Sequence, residues 1–252
     1  MHWVIQKNLF KPVNYRLLIE ALDRLEIKYS TVFIPNGTLD LEPEVNIIGN
    51  VYICGAIKLK KISQTRNWFP GSFLNNNFSF DKWLIELGDK LLNSDAVYGR
   101  FDSVQIENMK SFFIRPMEDN KAFDGMVVDS EMLSLWRADS SKEHLMNLEV
   151  IVSPVKDIYR EYRMFVVKKK VITGSVYKVS GKPEVSGTIE KEAINYVYGI
   201  INKWVPCESF VIDICLTANG YRVIEFNNIN SSGFYDSNVL KYVEAIQQAY
   251  SK

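Results

Sequence analysis

The stretch "VIDICLTANGYRVIEFNNIN", residues 211–230, decides how the chain is read. Two apolar runs flank an Ala-Asn-Gly turn, the pattern of a β-hairpin. Asp213, Glu225 and Asn227 interrupt runs otherwise suited to burial. Alternation puts Phe210, Ile212, Ile214 and Leu216 on one face of the first strand, with Val211, Asp213 and Cys215 on the other. In the second strand Tyr221, Val223, Glu225 and Asn227 lie together, opposite Arg222, Ile224 and Phe226. A two-residue Asn-Gly loop pairs Asp213 with Phe226 and sends the acids to opposite faces. A three-residue loop of Ala218, Asn219 and Gly220 pairs Thr217 with Tyr221 and Asp213 with Glu225, with Gly220 as the left-handed residue. That register also sets Ile212 against Phe226 and Ile214 against Ile224, giving one wholly apolar face. It is the register expected.

Carboxylates facing each other at about 5 Å between Cβ atoms repel, and partial burial sharpens the cost. The site therefore calls for positive charge. Magnesium is one source, because it takes one or two carboxylates together with substrate phosphates, and Asn227 adds an amide oxygen on the same face. A structural network in which Arg or Lys neutralises the acids is the other.

The 252 residues allow one domain or two, and 47% hydrophobic with 24% charged residues is an ordinary globular composition. Lys plus Arg equals Asp plus Glu at 30 each, which speaks against a protein that grips a nucleic-acid backbone by charge alone. Cys54, Cys207 and Cys215 lack paired spacing, so reduced thiols are expected rather than disulfides or a zinc site. With two histidines, His2 and His144, a histidine-based nucleophilic pair has no support. Neither a membrane span nor a signal-peptide core is visible, and the expected location is the cytoplasm.

"MHWVIQ", "YSTVFIP" and "NIIGNVYICGAI" read as strands. "VNYRLLIEALDRLEI" between them reads as a helix with Leu17, Leu18, Ala21, Leu22 and Leu25 on one face. A second helix, "DKWLIELGDKLLN", follows the loop "WFPGSFLNNNFSF" and is expected to be capped by Asp81. From residue 111 strands follow closely, with one interrupting helix, "KEAINYVYGIINKW", whose inner face is Ile194, Val197, Ile201 and Trp204. A final helix, "DSNVLKYVEAIQQAY", takes Asp236 or Ser237 as cap. The "KKK" at 168–170 reads as a hairpin tip. The expected fold class is α+β: a small α/β domain over 1–108, then a mostly antiparallel domain over 109–252.

"FFIRPMEDNKAFDG", "YREYRMFVV…VYKV" and "VIDICLTANGYRVIEFNNINSSGFY" resemble, in that order, the motifs of the ATP-grasp superfamily. The chain is similar to a bacterial and phage clade with arginine, here Arg115, in place of the usual first phosphate-binding lysine. The resemblance covers about 110–250. It implies an ATP-grasp core with ATP and Mg2+ as cofactors, the metal held by Asp213, Glu225 and Asn227. By the same resemblance Arg115 and Lys121 approach the α- and β-phosphates. The hinge at 150–155, carrying Val150, Val152 and Val155, reads adenine through its backbone. Glu161 faces the nucleotide and Arg163 the transferred phosphoryl group, the catalytic role. Tyr177, Lys178, Ser231, Ser232 and Gly233 are the candidate substrate contacts. The chain departs from the family pattern in its phosphate flap, where "MEDNKAFDGMVV" holds only Gly125.

The implied activity is an ADP-forming ligase joining a carboxylate to an amine or similar nucleophile through an acyl phosphate. Two other readings are a nucleotide-binding or interaction module without chemistry, and ATP-dependent modification of a peptide or nucleic-acid end. The partners implied are ATP and a carboxylate–amine pair of small-molecule or peptide origin. Nucleic acid and membrane are not expected, and the pattern names no oligomeric state.

Overall fold

In a computed structural model, residues 1–33, 50–55, 76–106, 109–117 and 122–251 are described. The apolar strand β1 (His2–Gln6) is the centre of a parallel sheet ordered β2-β1-β3, with β2 at Tyr29–Val32 and β3 at Val51–Cys54. Parallel neighbours need a crossover, and α1 (Pro12–Arg24) supplies it between β1 and β2. Pro12 stands at its first turn, where a missing N–H costs nothing. Leu18, Ala21 and Leu22 are buried, and Leu17 and Leu25 pack beside them, as the periodicity expects.

The second helix, α2 (Phe80–Leu87), is shorter than the sequence suggests. Ser79 is its N-cap residue and Asp81 falls in the first turn; Gly88 ends it at a positive φ of 56°, which glycine adopts without strain.

An antiparallel sheet ordered β4-β7-β5-β6 follows, built from β4 (Val97–Arg100), β5 (Ser111–Pro116), β6 (Met126–Asp129) and β7 (Glu149–Pro154). β4 precedes the expected boundary at 108, yet its ladder runs to β7 and ties it to this sheet. α3 (Ser130–Ala138) is a helix the strand-rich reading missed. Only Leu133 in it is buried, so it lacks an apolar stripe; the Asp129 cap, accepting from the Met132 N–H at 2.8 Å, was its one signal.

The largest sheet is antiparallel, ordered β10-β9-β8-β11-β12, from β8 (Ile158–Val167), β9 (Lys170–Val179), β10 (Lys182–Ser186), β11 (Ser209–Thr217) and β12 (Gly220–Asn228). One face packs with α2 and α4 (Lys191–Lys203). The other packs with α1, the parallel sheet and α5 (Val239–Tyr250). Cover on both faces explains the unbroken apolar runs Met164–Val167 in β8 and Phe210–Ile212 in β11. In α4 the buried residues are Ala193, Val197, Ile200 and Ile201, while Ile194 and Trp204 are partly buried beside them. The α5 cap is Asn238, accepting from the Lys241 N–H at 3.0 Å, in place of Asp236 or Ser237.

The β11–β12 hairpin reaches the expected pairing by another route. Asp213 does face Glu225, and Ile212 faces Phe226. The turn, however, is two residues, Ala218 and Asn219, because Thr217 pairs with Gly220. The extra residue is Ile224, bulged between Glu225 and Val223. The bulge reverses the alternation, so Val223, not Ile224, meets Ile214 in the core. Among the described residues no helix is long and apolar enough to cross a membrane.

Candidate active site

A cleft of about 550 Å³ lies between the four-stranded and five-stranded sheets. β11 delivers Asp213 to it: Val211 packs into the core beside α5, and two residues on along the same face Asp213 reaches the cleft wall. The Asp213 side chain is only 2% exposed. β8 pairs with β11 so that Arg163 stands directly opposite Asp213. Its guanidinium forks onto both carboxylate oxygens, Nε to Oδ1 at 2.9 Å and Nη2 to Oδ2 at 2.7 Å. Nη1 also donates to the Gly233 carbonyl at 3.4 Å.

From the opposite sheet, Arg115 Nη1 donates to Glu225 Oε2 at 3.2 Å. Asn227 Nδ2 donates to the other oxygen at 2.8 Å. On β9 a bulge at Tyr177 lets two consecutive residues face the cleft. Tyr177 donates to Glu161 Oε2 at 2.8 Å, and Lys178 Nζ lies 3.0 Å from Glu161 Oε1. The facing acids required positive charge, and the chain supplies it with its own guanidiniums. The structural-network arrangement is thus realised within the site itself.

That compensation is incomplete. Burial pushes the Asp213 carboxyl up to about 6; Arg163 opposes the shift, while Glu225 and Glu161 add to it. Burial works against the charge of Arg163 too, but Asp213 more than offsets it and the guanidinium stays charged. Burial, then the charges of Asp213 and Glu161, raises the Tyr177 hydroxyl, which keeps its proton and donates. Cys54 and Cys215 are likewise pushed up to about 12 by burial, which makes them poor nucleophiles at neutral pH.

The residues fit a divalent cation under one condition. Two carboxylates on one wall, with the Asn227 carboxamide held against Glu225 but not itself lining the cleft, are the oxygen groups a hard cation takes alongside phosphate oxygens. Among the described residues no group of three or more His, Cys, Asp or Glu side chains is placed to hold a metal. Fit therefore requires ligands from a bound phosphate.

Of the residues read from the sequence, Arg115, Val155, Glu161, Arg163, Tyr177, Lys178, Asp213 and Glu225 line this cleft together. Lys121 lies outside the described residues. The hinge needs correction. Val150 and Val152 are fully buried in the core of the four-stranded sheet, and β7 is laddered to β4 and β5 on its two sides. Their backbone groups are spent on the sheet; only Val155, 46% exposed, opens on the cleft beside Lys156. Ser231 and Ser232 fold back on the Asn228 carbonyl, at 3.3 and 2.8 Å, rather than lining it. Gly233 takes part through the carbonyl that receives Arg163.

Sequence reasoning missed Tyr235, Ile224, Asn93 and Lys156, all of which line the cleft. Lys156 is ion-paired with Asp95. Tyr235 stacks on Tyr177 at 4.8 Å and places its ring 5.2 Å from the Arg163 guanidinium. A larger hollow of about 820 Å³, lined by Met1, His2, Lys28 and Gln247 among others, is a weaker candidate, since none of its lining residues is buried.

Comparison with known proteins gives the family and the fold. A family model for an ATP-grasp domain, the second family of its clade, matches residues 97–245. Among solved structures the fold is similar to that of D-cycloserine synthetase DcsG, at TM-score 0.62 and 11% identity over 98% of each chain. It is similar to D-alanine–D-alanine ligase from Bacillus anthracis complexed with ATP, at TM-score 0.62 and 12% identity over 90% of this chain and 86% of that one. It is also similar to ATP-grasp ligase PsnB complexed with minimal precursor, Mg and ADP, at TM-score 0.55 and 15% identity over 92% and 89%. No curated protein matches the chain. The family match spans more than half of the sequence and takes in every described residue of the cleft except Leu92 and Asn93: the chain belongs to the ATP-grasp superfamily, within that clade's second family.

Proposed function

We propose that the protein is an ATP- and Mg2+-dependent ligase that joins a carboxylate to an amine or similar nucleophile and releases ADP. The observation that carries this reading is the meeting of Asp213 and Glu225 with Arg163 and Arg115 on the two walls of one cleft. A hard cation held by the acids and Asn227 would neutralise charge on the transferred phosphoryl group. Arg115 suits phosphate oxygens, since a guanidinium donates in a fork and keeps its charge, and the resemblance reads it as the clade's arginine. Arg163, at the cleft wall beside Asp213, suits the phosphoryl group in transfer. Glu161, fixed by Tyr177 and Lys178, would meet the nucleotide. The substrate carboxylate attacks the γ-phosphorus, the bond to ADP breaks, and the nucleophile then displaces phosphate from the acyl phosphate. These side chains act by positioning and by matching charge, which needs no histidine.

One observation favours the reading without chemistry: each acid already holds a guanidinium, an arrangement that also makes a stable cleft wall. Solved relatives include PsnB with a peptide precursor and D-alanine–D-alanine ligase, so the acceptor screen should span peptides and amino acids. The test is ADP release with Mg2+ across such a pool. Asp213→Ala and Glu225→Ala are each expected to abolish it; full turnover in both variants, or no ADP from wild type with any acceptor, defeats the ligase reading.

A further inference from the structure

Each acid at the centre of the cleft is matched by a base. Asp213 is paired with Arg163, Glu225 with Arg115 and Glu161 with Lys178. Both oxygens of Asp213 are engaged by Arg163, and those of Glu225 by Arg115 and Asn227. A bare divalent cation entering here meets two guanidiniums on its would-be ligands. It has to evict them without offering either a new anion, which strips half-buried positive charge of its carboxylate.

A polyphosphate changes that balance, because guanidinium forks onto phosphate oxygens as readily as onto carboxylate. The surroundings of both arginines are built for such an exchange. Arg163 has the rings of Tyr177 and Tyr235 at 5.9 and 5.2 Å. Arg115 has the rings of Phe80 and Trp83, each at 5.7 Å. Each guanidinium thus keeps an aromatic seat when its carboxylate is taken away. Tyr235 is held in the left-handed region at φ 52°, a conformation uncommon outside glycine, and its stacking on Tyr177 accompanies that strain.

We propose that Arg163 and Arg115 close the cation site, and that nucleotide phosphates open it by drawing the guanidiniums off Asp213 and Glu225 along their aromatic seats. Cation binding is then conditional on nucleotide. The inference rests on the nucleotide-cleft reading above and adds to it the order in which the ligands can assemble.

The test uses Mn2+ alone, followed by electron paramagnetic resonance of the full chain, in wild type, Arg115→Gln and Arg163→Gln. Without nucleotide, wild type is expected to bind Mn2+ weakly, and each variant about tenfold more tightly or better, the coupling expected for one removed competitor. Arg163 is the more buried arginine, so Arg115→Gln, in a pair with 17% and 30% side-chain exposure, carries the test if Arg163→Gln does not fold. Adding Glu225→Gln to Arg115→Gln should remove the gain. Mn2+ affinity equal in wild type and Arg115→Gln overturns the inference. Calorimetry with AMPPNP at saturating Mn2+ separates the two readings. Binding by wild type together with unchanged bare-Mn2+ affinity in the variants defeats the exchange alone, whereas no binding by wild type defeats both.

Discussion

Asp213 holds its proton up to about pH 6 because burial outweighs the Arg163 fork, whereas an exposed aspartate releases it near 3.8. Between those values the folded chain binds more protons than the unfolded one. The contribution of Asp213 to stability is therefore full below about pH 4 and lost as pH rises through about 6, a change on the order of 2–3 kcal/mol. Asp213→Asn has no carboxyl to ionise, so its stability relative to wild type should rise as pH goes from about 4 to about 7 and any deficit it shows near pH 4 should narrow. Urea denaturation across that range reads this directly, and a gap that widens contradicts it. Tyr235 shows what a single residue hides from sequence: its backbone conformation and its two partners come from three separate segments.

Among the strands and helices, the site depends on two bulges and one close approach. The bulge at Ile224 lets Val223 stay in the core while Glu225 faces the cleft, and the one at Tyr177 turns Tyr177 and Lys178 together toward Glu161. Alternation alone cannot reveal either, because one extra residue inverts every face beyond it. The register of Asp213 against Glu225 was nevertheless legible, since only that pairing sets Ile212 against Phe226. Beside Arg163, β8 and β9 approach so closely that a Cβ on Gly174 would lie 2.6 Å from the Arg163 carbonyl oxygen and 2.8 Å from Ile189. Gly174→Ala should push the strands apart where Arg163 is aimed, costing about 1–3 kcal/mol as overpacking does. A lowered urea midpoint is expected, and an unchanged one would show that the strands yield freely.

The cleft itself exists because two sheets from different parts of the chain converge on it. A ligand that engages both should tie them together. Mg2+ with a non-hydrolysable ATP analogue, at about a hundredfold its Kd, should stabilise the fold by about 2.7 kcal/mol. For a chain of this size that is a Tm rise of about 5–10 °C. Differential scanning calorimetry with and without the analogue checks it, and no shift at any concentration would leave the cleft without its proposed occupant.

Residue order alone was enough for the local features: the α+β class, the helices with strong apolar stripes, the acidic hairpin and the succession of the family's motifs. Each follows from side-chain period or residue chemistry within a short window. It was not enough for α3, whose stripe is too thin to read, and it put the adenine-reading hinge on Val150 and Val152, which the sheet buries. Which bases sit on which acids emerges only from the folded chain. Arg115 and Glu225 lie 110 positions apart, and Arg163 and Asp213 lie 50 apart. Their meeting depends on strand order, on two bulges and on how the sheets close. Those are set by packing summed over the entire core, which no short window of residues contains.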